Sequence, residues 1–116
     1  MHQKNKTRSQ TIKNQLGIMK DYMGDKIMIG GYFVDGIEML DDNTCAMYFE
    51  DFTEGDVMYG IVVEYWLDED SWHFSDNRFA LNGYFIDSED DSTHLTDEDK
   101  EKCKEFIKSW LEDLSA

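Results

Sequence analysis

The segment Val57–Leu67 constrains the fold of this chain more than any other feature of the sequence. Every second residue from Val57 to Leu67 is apolar, which is the period of a β-strand with a buried face. Met58, Val62 and Trp66 lie between them, so the opposite face is largely apolar as well. Strands that are apolar on both faces are typical of the middle of a sheet. We therefore expect the chain to build a sheet around this segment.

Shorter segments on either side are predicted to supply the neighbouring strands. They are Lys26–Val34, Thr44–Glu50 and Phe79–Ile86, with Trp72-His73-Phe74 following the turn after Leu67. Phe79–Ile86 is either one last strand or a short hairpin over Asn82-Gly83. Asp35-Gly36 is the two-residue signal of a tight hairpin turn. Asp41-Asp42-Asn43 marks a second turn, and Asp51–Asp56 is expected to be a polar loop. This spacing predicts an antiparallel β-meander of about four to five strands.

Helices are predicted at both ends of the chain. From about Gln10 to Tyr22, apolar residues recur at helical spacing. Near the C-terminus, Thr96 and Asp99 have the spacing of an approximate capping box. The apolar stripe after them consists of Cys103, Phe106, Ile107, Trp110, Leu111 and Leu114. The predicted fold class is thus α+β, with an N-terminal helix, the meander, and a C-terminal amphipathic helix packed on the sheet.

The length of 116 residues suits one domain. Residues 1–8 are predicted to be a flexible basic arm, and residues 9–116 a single acidic domain. No apolar run reaches the roughly 20 residues that cross a bilayer, and the N-terminus lacks the apolar stretch of a secretory signal. Cys45 and Cys103 fit no metal or redox spacing and are expected to be buried thiols. These features predict a cytoplasmic protein with no membrane partner.

Charge is distributed very unevenly along the chain. The formal net charge is −15, well beyond the magnitude of about 2–8 that keeps a small domain soluble. Between Ile27 and Asp99, twenty carboxylates stand against Arg78 alone, while residues 1–26 carry a net charge of +4. An anionic surface repels phosphate groups, so the body of the domain is not expected to bind nucleic acid or nucleotides directly.

The sequence contains little that indicates catalysis. It lacks the Gly-x-Ser-x-Gly motif of a serine nucleophile elbow and any glycine-rich phosphate-binding loop. His73 lies between two aromatic residues, and Glu64, on a central strand, is the one acid in an unusual position. We therefore predict no enzymatic activity and no cofactor.

One segment has the ligand spacing of a calcium-binding loop. Asp87, Glu89, Asp91, Thr93 and Glu98 occupy positions 1, 3, 5, 7 and 12 of a twelve-residue window. Ser92 replaces the glycine that such loops need at position 6, and the preceding segment is predicted to be a strand instead of a helix. Asp87, Glu89, Asp91 and Glu98 are accordingly a weak calcium candidate, and no metal site is predicted.

The acids cluster in predicted turns and loops. The candidate partner-binding residues are Asp41, Asp42, Glu50, Asp51, Glu54, Asp56, Asp68, Glu69, Asp70, Glu89, Asp90 and Asp91. In a meander, alternate turns fall at the same end of the sheet, so several clusters are expected to merge into one anionic field. Carboxylates arranged in this way take the place of nucleic-acid phosphates before the lysines and arginines of a basic protein.

In its electrostatics, the segment Ile27–Asp99 resembles small acidic inhibitors that imitate nucleic acid, such as phage-encoded anti-restriction and anti-CRISPR proteins. The resemblance is physical and rests on no shared motif. It implies stoichiometric, non-catalytic binding to the nucleic-acid-binding surface of a nuclease or CRISPR effector. An immunity protein that neutralises a basic nuclease toxin is the first alternative, and a calcium-binding or adaptor domain is the second. The target and the oligomeric state stay open.

Overall fold

A single antiparallel sheet and one helix make up the described fold. The structure is a computed structural model that describes residues 27–115. The strands are Met28–Ile29 (β1), Tyr32–Met39 (β2), Thr44–Phe49 (β3), Phe52–Glu54 (β4), Val57–Trp66 (β5), Ser71–Ala80 (β6) and Phe85–Asp90 (β7), and the helix is Asp97–Ser115 (α1). The strands lie in the order β1-β2-β3-β5-β6-β7, and β4 also pairs with β5. The segment predicted to be the central strand is thus β5, which pairs with β3, β4 and β6.

This architecture corrects the predicted fold class. Every pairing in the sheet is antiparallel, it has seven strands instead of four to five, and residues 27–115 contain a single helix. The extra strands include β1 and β4, which have two and three residues. Such short segments show no alternation of their own, because a period of two needs several residues to become visible. The predicted first helix, Gln10–Tyr22, and the predicted basic arm, 1–8, lie outside the described residues.

The predicted hairpin turn at Asp35-Gly36 is wrong. Strand β2 runs straight through these residues, and its register with β3 shifts between Val34 and Gly36, which is a β-bulge at Asp35. The bulge lets Val34 and Ile37 both point into the core, where they are 0% and 1% exposed. Burial of two apolar residues three positions apart therefore prevails over the local turn preference.

Part of the predicted polar loop 51–56 is also a strand. Tyr48 pairs with Val62, and four residues later Phe52 pairs with Tyr59, so β3 and β4 lie along the same edge of β5 with a shift of one residue between them. Asp51 lies in this interruption, where its Oδ1 is 3.0 Å from the position that a Cβ on Gly60 would take. The chain thus keeps its pairing with β5 on both sides of Glu50 and Asp51.

Helix α1 covers one face of the sheet, as predicted. Cys103, Ile107 and Trp110 are buried on its inner side. They join a core that contains Ile29, Val34, Ile37, Met39, Cys45, Met47, Phe49, Ile61, Val63, Phe74 and Leu95. Burying each large side chain of this set contributes about 1.5–3 kcal/mol. Among residues 27–115, no helix is long and apolar enough to cross a lipid bilayer.

The start of α1 is held in place by the predicted capping box. The Asp99 amide donates to Thr96 Oγ1 at 3.1 Å, and the Thr96 amide donates to Asp99 Oδ2 at 3.2 Å. Gly30, in the β1–β2 turn, has a φ of +64°, and a Cβ there would lie 2.5 Å from Asp99 Oδ2. The turn and the helix start therefore touch closely, which only glycine permits.

Both cysteines are buried and are not joined by a disulfide. Burial raises the pKa of the Cys45 thiol to about 12, and burial together with nearby Asp99 raises the pKa of Cys103 to about 12. The thiols are therefore neutral at physiological pH and serve as small apolar core residues.

Candidate functional site

Two acidic turns meet at one end of the sheet. The β2–β3 turn spans residues 40–43 and the β5–β6 turn spans residues 67–70, and we call them the paired turns. They are adjacent because β3 pairs with β5, with Thr44 opposite Trp66. The Leu67 amide donates to the Asn43 carbonyl at 2.8 Å, and the Asp68 amide donates to Asn43 Oδ1 at 2.7 Å. Asn43 thus links the turns directly.

Five of the predicted binding acids are brought together by this link. They are Asp41, Asp42, Asp68, Glu69 and Asp70. All five are exposed, and the paired turns contain no lysine or arginine. One turn connects β2 to β3 and the other connects β5 to β6. Two strand spacings, about 10 Å, therefore separate the centres of the turns. That distance is close to the Debye length of roughly 8 Å at physiological salt. The two sets of charges therefore act partly as one field.

One carboxylate in each turn is held by hydrogen bonds. Asp41 Oδ1 accepts hydrogen bonds from the amides of Asn43 and Thr44, each at 2.8 Å. These bonds, chiefly the one from the Asn43 amide, lower the pKa of Asp41. In the other turn, Asp70 has a φ of 49°, and its Oδ1 accepts from Tyr65 Oη at 2.7 Å. The carboxylates are thus presented on ordered turns.

The other seven predicted acids lie elsewhere. Glu50 and Asp51 occupy the interruption between β3 and β4. Glu54 and Asp56 belong to the β4–β5 hairpin, at the end of the sheet opposite the paired turns. Glu89 and Asp90 lie in β7, and Asp91 follows that strand. The twelve predicted acids are therefore distributed over four places.

The acids of β7 are partly neutralised. Arg78 Nη2 lies 2.5 Å from Asp87 Oδ2 and 3.1 Å from Glu89 Oε1. Asp87, through its hydrogen bond, is the main cause that raises the pKa of Arg78. Lys100 Nζ is 3.8 Å from Asp91 Oδ1. The surface near β7 therefore carries a weaker negative field than its sequence indicates.

The candidate calcium ligands do not gather into a site. Asp87 and Glu89 are part of a strand and face Arg78. Glu98 lies in the first turn of α1. In the part of the chain that the structure describes, no group of three or more His, Cys, Asp or Glu side chains is arranged to hold a metal ion.

A buried aspartate forms a polar cluster that the sequence did not reveal. Asp76 is 1% exposed and points from β6 into the core. Its carboxylate accepts a hydrogen bond from Ser92 Oγ, another from Thr93 Oγ1 at 3.2 Å, and lies 2.6 Å from His94 Nδ1. On the other side of the ring, His94 Nε2 is 3.2 Å from Glu54 Oε2. We call these five residues the His94 cluster.

Aromatic rings surround His94. Its ring centre is 4.7 Å from that of Tyr59, 4.9 Å from that of Phe52 and 6.2 Å from that of Tyr32. Burial lowers the pKa of His94, but the hydrogen bonds to Asp76 and Glu54 outweigh it, so the pKa is raised. The charged imidazolium is therefore favoured between two carboxylates.

The geometry of the His94 cluster is structural and does not form a nucleophilic triad. Ser92 Oγ donates to Asp76 and also accepts from the His94 amide at 3.3 Å, while both ring nitrogens of His94 face carboxylates. The hydroxyl thus has no imidazole base. The cluster ties the segment between β7 and α1 to β6. The alternation of side chains along β6 could have revealed the burial of Asp76, because it places Asp76 on the same face as Phe74.

His73 and Glu64, which were considered for catalysis, lie on the face of the sheet away from α1. They are opposite each other on β6 and β5. The His73 ring packs on Trp66 at 4.1 Å between ring centres, and its Nε2 is 3.2 Å from Ser71 Oγ. Glu64 Oε1 accepts from Trp66 Nε1 at 3.0 Å. Both side chains thus have structural partners around the same indole.

Comparisons of this chain with protein-family models, with curated proteins and with solved structures found no match.

Proposed function

We propose that this protein is a non-catalytic inhibitor that binds the basic nucleic-acid-binding surface of another protein, with the paired turns replacing nucleic-acid phosphates. The observation that carries the proposal is the link through Asn43, which holds Asp68 next to the β2–β3 turn. The target class is a nuclease or CRISPR effector, and the action is stoichiometric occupation of its nucleic-acid channel, as in anti-CRISPR or anti-restriction proteins.

The ordered backbone of the paired turns supports this role. Binding costs less free energy when the contacting groups are already held in place. Asp41 and Asp70 are each tied by hydrogen bonds, so their turns need little further ordering when a partner binds. A fixed group of carboxylates also steers a cationic surface during encounter, and this effect weakens as salt rises.

The compartment that we propose is the cytoplasm. Cys45 and Cys103 are free, buried thiols, which suits a reducing environment. Nucleases and CRISPR effectors act on nucleic acid in that same compartment.

The test is capture of the target by the immobilised full chain from host-cell lysate. We expect a basic protein to bind at low salt and to be released by high salt or by an excess of duplex DNA. The variant Asp68→Asn/Glu69→Gln/Asp70→Asn removes three charges from the paired turns and should lose most of the captured protein. Asparagine at position 70 tolerates the positive φ of that residue.

A matched variant separates the position of the charges from their number. Glu98→Gln/Glu101→Gln/Glu105→Gln changes the net charge equally, but on exposed positions of α1. It should capture the target nearly as well as the unmodified chain. Equal loss in both variants would reduce the interaction to overall charge. A captured protein that DNA does not displace would instead favour the immunity-protein alternative.

A further inference from the structure

The β6–β7 hairpin exposes an apolar patch on an otherwise acidic molecule. Leu81, Tyr84, Phe85 and Ile86 are 58%, 73%, 60% and 53% exposed. We call these four residues the hairpin patch. They are half of the large apolar residues that are exposed in the described part of the chain. Contiguous exposed apolar residues in a small protein mark a contact surface more often than isolated ones do.

The hairpin patch continues into an open sheet edge. Strand β7 is the last strand in the sheet order, and within residues 27–115 no strand pairs with its outer side. Five of its six residues are exposed. Natural edge strands are commonly protected by lysine, proline or a covering element. Strand β7 contains neither lysine nor proline, and its outer edge has no strand partner among residues 27–115.

The charges of β7 select the occupant of this edge. Asp87, Glu89 and Asp90 belong to the strand, and Arg78 offsets one of the three charges. Two copies of this chain that paired through β7 would place acidic residues against each other, which is destabilising. Each copy also carries a net charge of −15. A segment with basic residues can pair with the backbone of β7 without this charge repulsion.

The register of β7 defines the pattern that such a segment needs. Asp87 and Glu89 pair with Arg78 and Asp76 and share one face, whereas Phe85 pairs with Phe79 on the other face. The Phe79 and Phe85 rings lie 5.4 Å apart in an edge-to-face arrangement. Basic residues at alternate positions would face the two acids, and apolar residues between them would extend the contact around Phe85.

We propose that β7 and the hairpin patch form a docking edge that takes an extended segment of alternating basic and apolar residues from a partner protein as an additional strand. This proposal goes beyond the inhibitor function and does not depend on it, because the hairpin patch lies at the end of the sheet opposite the paired turns. Backbone hydrogen bonds supply affinity in this mode of recognition, and the alternating side chains supply specificity.

The test uses a defined probe and the full chain labelled with ¹⁵N. The probe is a capped peptide of about ten residues in which lysine and valine alternate, and the control peptide alternates glutamate and valine. We expect the lysine peptide to shift the amide signals of Phe85–Asp90 most strongly and to slow their hydrogen exchange. The glutamate peptide should leave these signals unchanged.

Matched variants locate the apolar part of the contact. Phe85→Ser/Ile86→Ser should weaken peptide binding by at least about tenfold, because both side chains lose the area that they bury against the peptide. Met28→Ser removes an apolar residue of similar exposure, 51%, that lies away from both the hairpin and the paired turns. This control should bind within about twofold of the unmodified chain. Melting curves of both variants confirm that each one folds.

Three results would overturn the proposal. The first is that the largest amide shifts map to the paired turns or to α1, which would reveal only charge attraction. The second is equal weakening by both serine variants. The third is a dimer of the unmodified chain in sedimentation that Phe85→Ser/Ile86→Ser abolishes, because it would assign the edge to a second copy. Failure of the DNA-competition experiment on the paired turns leaves all three readouts unaffected.

Discussion

Asp76 and the carboxylates of the paired turns occupy opposite environments in this acidic chain, one buried and the other exposed. Asp76 is 1% exposed and is surrounded by Ser92, Thr93 and His94. The carboxylates of Asp68 and Glu69 in the paired turns are exposed, so water can solvate them, whereas Asp76 must obtain its hydrogen bonds from protein groups. The stability of the fold therefore depends on the partners of buried Asp76, whereas the exposed carboxylates of the paired turns depend less on protein contacts.

The largest loss of stability expected from this comparison follows substitution of Asp76. The variant Asp76→Asn keeps the shape of the side chain but removes the charge that faces His94, so it should lower the free energy of unfolding by about 3 kcal/mol or more. Urea denaturation followed by tryptophan fluorescence measures this. The exposed Asp90→Asn is the matched control and should change stability by less than about 0.5 kcal/mol. Similar losses in both variants would refute a special role for the buried carboxylate.

The next effect concerns pH and the His94 cluster. Because the folded-state pKa of His94 is raised above 6.5, the cluster contributes its full stability below the unfolded pKa. That contribution is lost as pH rises through the folded pKa. The charged groups that face His94 are Asp76 on β6 and Glu54 on β4. Only the imidazolium form has an N–H for each of these two carboxylates. The unmodified chain should therefore become less stable between about pH 6 and pH 8.

The variant His94→Gln isolates this contribution from the general repulsion among carboxylates. It should flatten the pH dependence of the urea midpoint in that range, because glutamine hydrogen-bonds but does not titrate. The measurement is the difference between the two curves, since repulsion acts on both proteins. Parallel curves would assign the pH dependence to other groups.

A smaller effect is expected at the half-buried Asp99. Thr96→Ala removes the hydroxyl that accepts the Asp99 amide and should lower stability by about 1 kcal/mol. Thermal denaturation measures the loss. Thr96→Ser keeps the hydroxyl and should retain most of the stability. If serine and alanine behave alike, the loss arises from the threonine methyl group and not from the capping box.

The smallest effect on stability is expected for the paired turns. Asp68→Asn/Glu69→Gln/Asp70→Asn should change the free energy of unfolding by less than about 0.5 kcal/mol, because exposed carboxylates gain little from the fold. The same variant is expected to lose target binding, so stability and function separate at this site. A large stability loss in urea denaturation would mean that the turns are structural, and the contrast with Asp76 would disappear.

Only part of the candidate site could be predicted from the sequence, because some positions of the acids depend on contacts between distant strands. The idea that alternate turns share one end of the sheet is confirmed for the paired turns. It does not extend to Glu50, Glu54 or Glu89, which lie in other places. Their positions depend on the interruption between β3 and β4 and on the edge location of β7. Neither feature follows from the spacing of acids along the chain.

Features that arise from residues close together in the chain could be predicted from the sequence. These are the central strand β5, the amphipathic helix α1 with its capping box, and the strongly acidic character of residues 27–99. Each arises from apolar periodicity or from contacts within one helical turn.

Which distant groups meet depends on the packing of the complete sheet. Asn43 bonds to Asp68 across 25 positions of the chain, and His94 reaches Asp76 across 18. The bulge at Asp35 likewise depends on which side chains the core accepts. Such contacts are set by the register of whole strands and by the burial of one complete face, which no local pattern encodes. The physical reason is that register is selected by the summed packing of many residues, so each individual pairing is a consequence of the assembled sheet.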